Sequence, residues 1–198
     1  MNIDYTELFE KEITLAADEV NCLGPQLVLE NCTIRSACDH DTLKIVGLQM
    51  SGGNFIQHKR LTNFQFDGAQ FIDVKFSGNF IGCDFGDWET SDRSSVSGCD
   101  FSDAVLDACR FLNCDMQGIL LPEWPCFTIL HPWEARSVVL SRNWPRELGI
   151  TLDVYTDNDP ECVAACGNAE IHAKKNQISL DECRKLLMLL PGLKIRGQ

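Results

Sequence analysis

Apolar side chains recur at intervals of five along the middle of this chain. Phe66, Phe71 and Phe76 are five apart, and Phe101, Leu106, Phe111, Met116 and Leu121 repeat the interval. Two residues before each member of the second run stands a small or apolar residue: Cys99, Ala104, Cys109, Cys114 and Ile119. Five matches neither the helical period of 3.6 nor the strand period of 2. A fixed interval that fits neither element marks a repeat architecture. Side chains at i and i−2 share one face of an extended segment. Each unit is therefore a short extended stretch that buries its pair, then a turn of small or polar residues such as Ser102-Asp103 and Asp107-Ala108. Four units close a coil of about twenty residues, and coils stacked at about 4.8 Å hydrogen-bond as neighbouring strands do.

The interval is weaker over 27–61, where Leu29 and Ile34 carry Leu27 and Cys32 at i−2, and Ile45, Met50 and Phe55 continue it. It breaks in three places. Phe76 to Phe80 is a step of four, although Ile81 would keep five; Phe85 to Phe101 is sixteen, and Ile34 to Ile45 is eleven. Each break reads as a corner change or a loop leaving the coil. The break at 86–98 is a loop by composition. Outside the coil, Leu8, Ile13, Leu15 and Ala16 among acidic residues predict a helix over 3–19 that caps the first coil. The predicted organisation is a helical cap at 1–21, a coil at 22–121 and a small α/β region at 122–198. In that last region Phe127–Leu130 predicts a strand, Pro132–Trp144 a helix, Gly149–Tyr155 a strand and Asp159–Lys174 a helix. Ser179-Leu180-Asp181-Glu182 is a capping box that opens a final helix.

The runs Phe64-Gln65-Phe66, Ala69-Gln70-Phe71, Cys83-Asp84-Phe85, Cys99-Asp100-Phe101, Cys109-Arg110-Phe111 and Cys114-Asp115-Met116 resemble pentapeptide-repeat proteins. The resemblance is sharp over 64–121 and ends at 122. It implies a mainly β fold, a right-handed quadrilateral β-helix. The segment Phe80-Ile81-Gly82-Cys83-Asp84-Phe85, with Gly98-Cys99-Asp100-Phe101-Ser102 after the loop, is similar to the quinolone-resistance branch, whose members protect DNA gyrase. That similarity implies a DNA mimic acting on a topoisomerase, and in those relatives a C-terminal helix mediates dimers. The helix around Leu186-Leu187-Met188-Leu189-Leu190 would either pack on the coil end or form such a homodimer. Small acidic bacterial proteins of this kind also serve as immunity or self-protection factors.

Charge narrows the partner class. Net charge is −12. Acids against bases number nine to five over 1–60, ten to three over 61–121 and ten to nine over 122–198. A direct nucleic-acid binder needs a basic footprint; this chain instead suits a protein partner with a basic surface, or carries its acids for solubility. No segment has the composition of a membrane span or of a signal peptide, so a cytoplasmic protein is expected. The candidate contact residues are Asp87, Trp88, Glu89, Asp92 and Arg93 in the loop, and Asp103 and Asp107 at outward turn positions of the coil. Trp88 reads either as a contact anchor or as a side chain folded back over the coil wall.

Eleven cysteines invite disulfide or metal chemistry. Cys32, Cys83, Cys99, Cys109 and Cys114 fill the inward i−2 slot, where a free thiol serves as a small hydrophobe. Cys162, Cys166 and Cys183 with His172 are the residues from which a zinc site could be assembled, but no C-x-x-C pair is present; Cys162 and Cys166 also fit the core face of a helix. No nucleotide-binding loop, nucleophile elbow or H-E-x-x-H motif occurs. The expectation is a non-enzyme without cofactor or metal, any enzymatic or zinc site falling in 122–198.

Overall fold

The computed structural model describes residues 1–89 and 94–197. Its first three-fifths is a β-solenoid of about five turns. Thr6–Phe9, Leu27–Glu30, Leu48–Ser51, Ala69–Ile72 and Ser95–Ser97 form one parallel ladder. Glu12–Leu15, Thr33–Ser36, Asn54–Thr62, Lys75–Ile81 and Asp100–Asp107 form a second, and Asn2–Ile3, Asn21–Leu23 and Leu43–Ile45 a third. In the first ladder Leu8, Leu29, Met50 and Phe71 stand in register, each 21 residues after the last, and Val96 follows after 25. The coil is thus one residue longer than four units of five, and the final step holds the excursion between Gly86 and Ser95.

Corners explain how a chain of this length closes each turn. Glu10, Asn31, Gly52, Asp73 and Gly98 stack at one corner, and all have positive φ, from 52° to 66°. Glycine, and less freely Asn and Asp, tolerate this conformation. A Cβ on Gly52 would lie 2.4 Å from Asn31 Oδ1, and one on Gly98 would lie 2.2 Å from Asp73 Oδ1. The side chains of Asn31 and Asp73 therefore each need a bare Cα above them in the next coil.

The inward positions hold the core. Phe55, Phe76 and Phe101 stack face to face up one wall, with centroids 5.6 and 4.5 Å apart. Phe66, Phe85 and Phe111 stack up another, at 4.8 and 5.2 Å. The two columns meet edge to face, as between Phe76 and Phe85, an arrangement favoured by the ring quadrupole. Phe80 is buried and Ile81 half-buried, so the four-residue step is the real one. All five cysteines of the i−2 slot are buried. Their thiols donate to carbonyls far back in the chain: Cys32 to Leu8, Cys83 to Leu61, Cys99 to Phe71, Cys109 to Phe80 and Cys114 to Phe85, at 3.2–3.6 Å.

Residues 122–197 close the far end. Cys109–Leu112, in the last coil, pairs in parallel with Asp84–Gly86 on one side and antiparallel with Cys162–Asn168 on the other. Cys126–Leu130 and Leu193–Lys194 extend that sheet. The edge that stacking would leave open is thereby covered. Four helices, α1 (Pro132–Leu140), α2 (Leu148–Thr156), α3 (Ala169–Asn176) and α4 (Leu180–Leu187), enclose a second core with Phe127, Ile129, Leu148, Leu152, Cys183 and Leu187.

Several expectations are corrected. The helix over 3–19 is instead the first coil: Leu8 and Ile13 already keep the interval of five, and Tyr5 and Glu10, with positive φ, interrupt any helix. Gly149–Tyr155 is helical, because Leu148, Leu152 and Tyr155 form one buried helical face. The helix expected over Asp159–Lys174 is a strand through Asn168 and then α3; pairing on both sides with strands buries the run. The helix at Pro132 ends at Leu140, and Trp144 folds back to donate its indole N–H to the Val139 carbonyl at 2.7 Å. Other expectations hold. Cys126–Leu130 is a strand, and the Ser179 hydroxyl accepts the Glu182 amide at 3.1 Å at the start of α4. That helix turns Cys183 and Leu187 into the second core, not onto the coil lumen.

Candidate protein-binding surface

The polar residue of each unit lies between two inward side chains and so points away from the lumen, although Asp84 is itself buried there, covered by Arg110. Stacking places Asp84 directly beside Arg110. Arg110 Nε and Nη2 each donate to an Asp84 carboxylate oxygen at 2.7 Å, a bidentate, charge-assisted pair. The same guanidinium lies 5.0 Å from the centroid of the Trp88 ring, and its Nη1 donates to Asn158 Oδ1 at 3.3 Å. Arg110 thus joins the coil wall, the loop and the C-terminal region. Asn113, at φ 49°, donates its side-chain amide to the carbonyls of Asp87 and Trp88 at 2.8 and 3.1 Å. Asp87 Oδ1 in turn accepts the Glu89 amide at 2.8 Å. The start of the loop is fixed by these bonds.

Beneath the loop is an open cleft of about 350 Å³, lined by Val46, Asp67, Asp84, Asp87, Trp88 and Leu112 among others. Val46 and Asp67 are exposed on the coil wall. Carboxylates beside an indole and a short apolar wall suit the aliphatic stem and charged head of a lysine or arginine.

The structure brings Asp87, Trp88 and Glu89 together at this cleft rim. Trp88 both folds over the wall and lines the cleft. Asp92 and Arg93 lie outside the described residues. Asp103 is exposed on a different ladder, where it binds Lys75 Nζ at 2.6 Å. Asp107 is corrected outright: it is buried, not solvated. The C-terminal region folds over it, and its Oδ1 accepts the Asn168 amide at 2.9 Å and the Tyr155 hydroxyl at 3.0 Å. His172 Nε2 stands 3.3 Å from that oxygen and 3.0 Å from the Tyr155 hydroxyl. Burial acts to raise the Asp107 carboxyl, but the hydrogen bonds from His172, Asn168 and Tyr155 outweigh it and hold its pKa below the usual value.

Asp67 and Asp84 line the cleft, Arg110 and Asn113 hold the Trp88 segment at its rim, and none of the four was singled out by the sequence as a contact residue. A signal existed for two of them: Cys83-Asp84-Phe85 and Cys109-Arg110-Phe111 carry opposite charges in the same outward slot. Cys162 and Cys166 lie on a strand rather than a helix, Cys183 lies on α4, and His172 is engaged with Asp107. Among the described residues no group of three or more His, Cys, Asp or Glu is placed to hold a metal ion. Among the same residues no helix is long and apolar enough to cross a membrane.

A family model for pentapeptide repeats (8 copies) matches residues 93–121. With the β-solenoid, that match supports the pentapeptide-repeat family for this chain. It does not single out the quinolone-resistance branch. No curated protein and no solved structure matches the chain.

Proposed function

We propose that this protein is a non-enzymatic protein-binding module whose acidic coil wall, with the cleft under Trp88, engages a basic surface of a partner protein, in an immunity or self-protection role. The observation that carries the reading is the pinned start of the loop: Asn113 and Arg110 hold Trp88 over a cleft lined by Asp67 and Asp87. A rigid aromatic beside carboxylates is the kind of feature that anchors a complementary interface. The packed Phe lumen leaves the coil without an internal pocket for chemistry. We take the coil to be the right-handed quadrilateral form that the resemblance implies, and the protein to be cytoplasmic.

Mimicry of DNA against a topoisomerase draws support from the acidic coil alone. Five coils at about 4.8 Å make a rod some 20–25 Å long, the rise of only about seven base pairs. Affinity capture from the source cell with wild-type and Trp88→Ala protein tests the module. A basic protein retained by wild type and lost by the variant supports it; a capture profile indifferent to Trp88 and to Asp67→Asn refutes it. A change in gyrase supercoiling at micromolar protein would replace it with the mimicry reading.

A further inference from the structure

The C-terminal region carries a second surface of opposite character. On α2, Ile150 and Val154 are 68% and 65% exposed, and Leu140 at the end of α1 is 63% exposed. Ile150 and Val154 are four residues apart, so they form one ridge about 6 Å long on the side of the helix away from Leu148, Leu152 and Tyr155. Beside the ridge a shallow groove of about 320 Å³ is lined by Leu140, Arg142, Trp144, Arg146, Ile150 and Asp153 among others, with the Asp153 carboxylate 3.2 Å from Arg136. Its aromatic wall is fixed. The Trp144 indole N–H is bound to the Val139 carbonyl, and the side chain packs so closely on Gly149 that a Cβ there would meet its ring at 3.2 Å.

The charges around the groove are uneven. Arg136 pairs with Asp153 and Asp157, and Glu147 pairs with Lys175. Arg142 and Arg146 are exposed and have no carboxylate partner among the described residues. Two unpaired guanidiniums beside three exposed aliphatic side chains, in a chain of net charge −12, are not explained by solubility. Arginine is enriched at interfaces because it binds carboxylates in a fixed fork.

We propose that the α1–α2 face docks an acidic amphipathic helix of a partner protein. The helix lies along α2 with its apolar stripe on Leu140, Trp144, Ile150 and Val154 and its carboxylates on Arg142 and Arg146. A second copy of the chain is the poorer occupant, because a two-fold pairing of this face would bring four guanidiniums together. The surface is separate from the acidic cleft and takes a partner of the opposite charge.

The test uses the full chain and a labelled synthetic peptide of about twelve residues, long enough to cover the two turns of α2, with leucines at i, i+3, i+4 and i+7 and glutamates on the flanks. A sister peptide carries lysines on the flanks. By fluorescence anisotropy the glutamate peptide binds wild type in the micromolar range. It binds Ile150→Glu and the double variant Arg142→Glu/Arg146→Glu about tenfold more weakly or worse. The double variant gains affinity for the lysine peptide. Absence of glutamate-peptide binding, equal binding of both peptides by wild type, or indifference to the arginines overturns the proposal. So does a sedimentation dimer abolished by Ile150→Glu, which would make the occupant a second copy, or binding to phosphatidylserine vesicles in place of the peptide, which would make it a membrane surface.

Discussion

Replacing Asp107 with alanine removes the carboxylate on which the C-terminal region is seated. In the native state its Oδ1 receives the Asn168 amide and the Tyr155 hydroxyl, with His172 Nε2 at 3.3 Å. The Tyr155 oxygen also accepts the Ala108 amide at 3.2 Å, and because the Tyr155 proton goes to Asp107, His172 Nε2 faces two acceptor oxygens, at 3.0 and 3.3 Å. Hydrogen bonds to a charged group contribute about 1.5–3 kcal/mol each, but those sharing one acceptor do not add. An unsatisfied buried donor costs about 1–3 kcal/mol; Asp107→Ala leaves the Asn168 amide and the Tyr155 hydroxyl without their acceptor, so the expected loss is about 2–5 kcal/mol. Tyr155→Phe, which spares the carboxylate and the Asn168 bond, should cost about 1.5–3 kcal/mol. Urea unfolding followed by circular dichroism measures both, and the double variant should fall short of the sum because the two residues share a bond. The pH dependence carries a second signature. The folded-state pKa of Asp107 is depressed, so its contribution is full above the unfolded value of about 3.9 and fades as pH falls through the folded value. Wild type should therefore lose its margin over Asp107→Ala on acidification. A loss below about 1 kcal/mol at neutral pH, or strict additivity with Tyr155→Phe, would refute the reasoning.

Phe76→Ala should destabilise by about 3–5 kcal/mol, because Phe76 is stacked between Phe55 and Phe101 and edge-on to Phe85; a small shift in the urea midpoint would mean the column is not a continuous packed core. Gly53→Ala puts a Cβ 2.0 Å from the Cys32 carbonyl oxygen at a φ of +78°, so the melting temperature should fall by several degrees, the equivalent of more than about 1 kcal/mol, and an unchanged value would deny the close approach. In native protein a thiol reagent such as DTNB should titrate Cys22 rapidly and the other cysteines only on unfolding, because they are buried, and burial pushes the Cys162 and Cys166 thiols up to about 12. Fast reaction of several native thiols would contradict that burial.

The coil was legible because its rule is local: a pair two residues apart, then a turn, repeated. Phe66, Phe71 and Phe76 declare it without any knowledge of what lies across the lumen. The first coil was misread because its outward positions are glutamates, and Glu7, Glu10 and Glu12 between apolar residues mimic an amphipathic helix. Only pairing with Leu27–Glu30 and Thr33–Ser36 fixes those segments as strands. Likewise Cys162–Asn168 has no strand alternation of its own; it is extended because strands on both sides satisfy its backbone. For the candidate surface, composition was enough to single out the loop with Trp88. The cleft beneath it depends on which outward residues of successive coils fall side by side, and the insertion between Gly86 and Ser95 shifts that alignment from 21 residues to 25. Asp107 was misplaced for the same reason, since nothing near it in the chain announces that Tyr155 and Asn168 will cover it.

The capping sheet has a consequence for how such a chain can change over generations. It touches the solenoid through its last turn, at Cys109–Leu112 and around Asp107, while the turns below repeat one 21-residue step. Rod length and terminal domain are therefore separately heritable. Along the two walls that keep this step, duplication or loss of a segment such as 27–47 returns lumen positions to equivalent places and leaves the cap's contacts unaltered. The outward slots of each turn can then drift in charge, one coil at a time, without disturbing what holds the rod together. A lineage built this way can lengthen, shorten or recharge its outer wall while keeping the same lid.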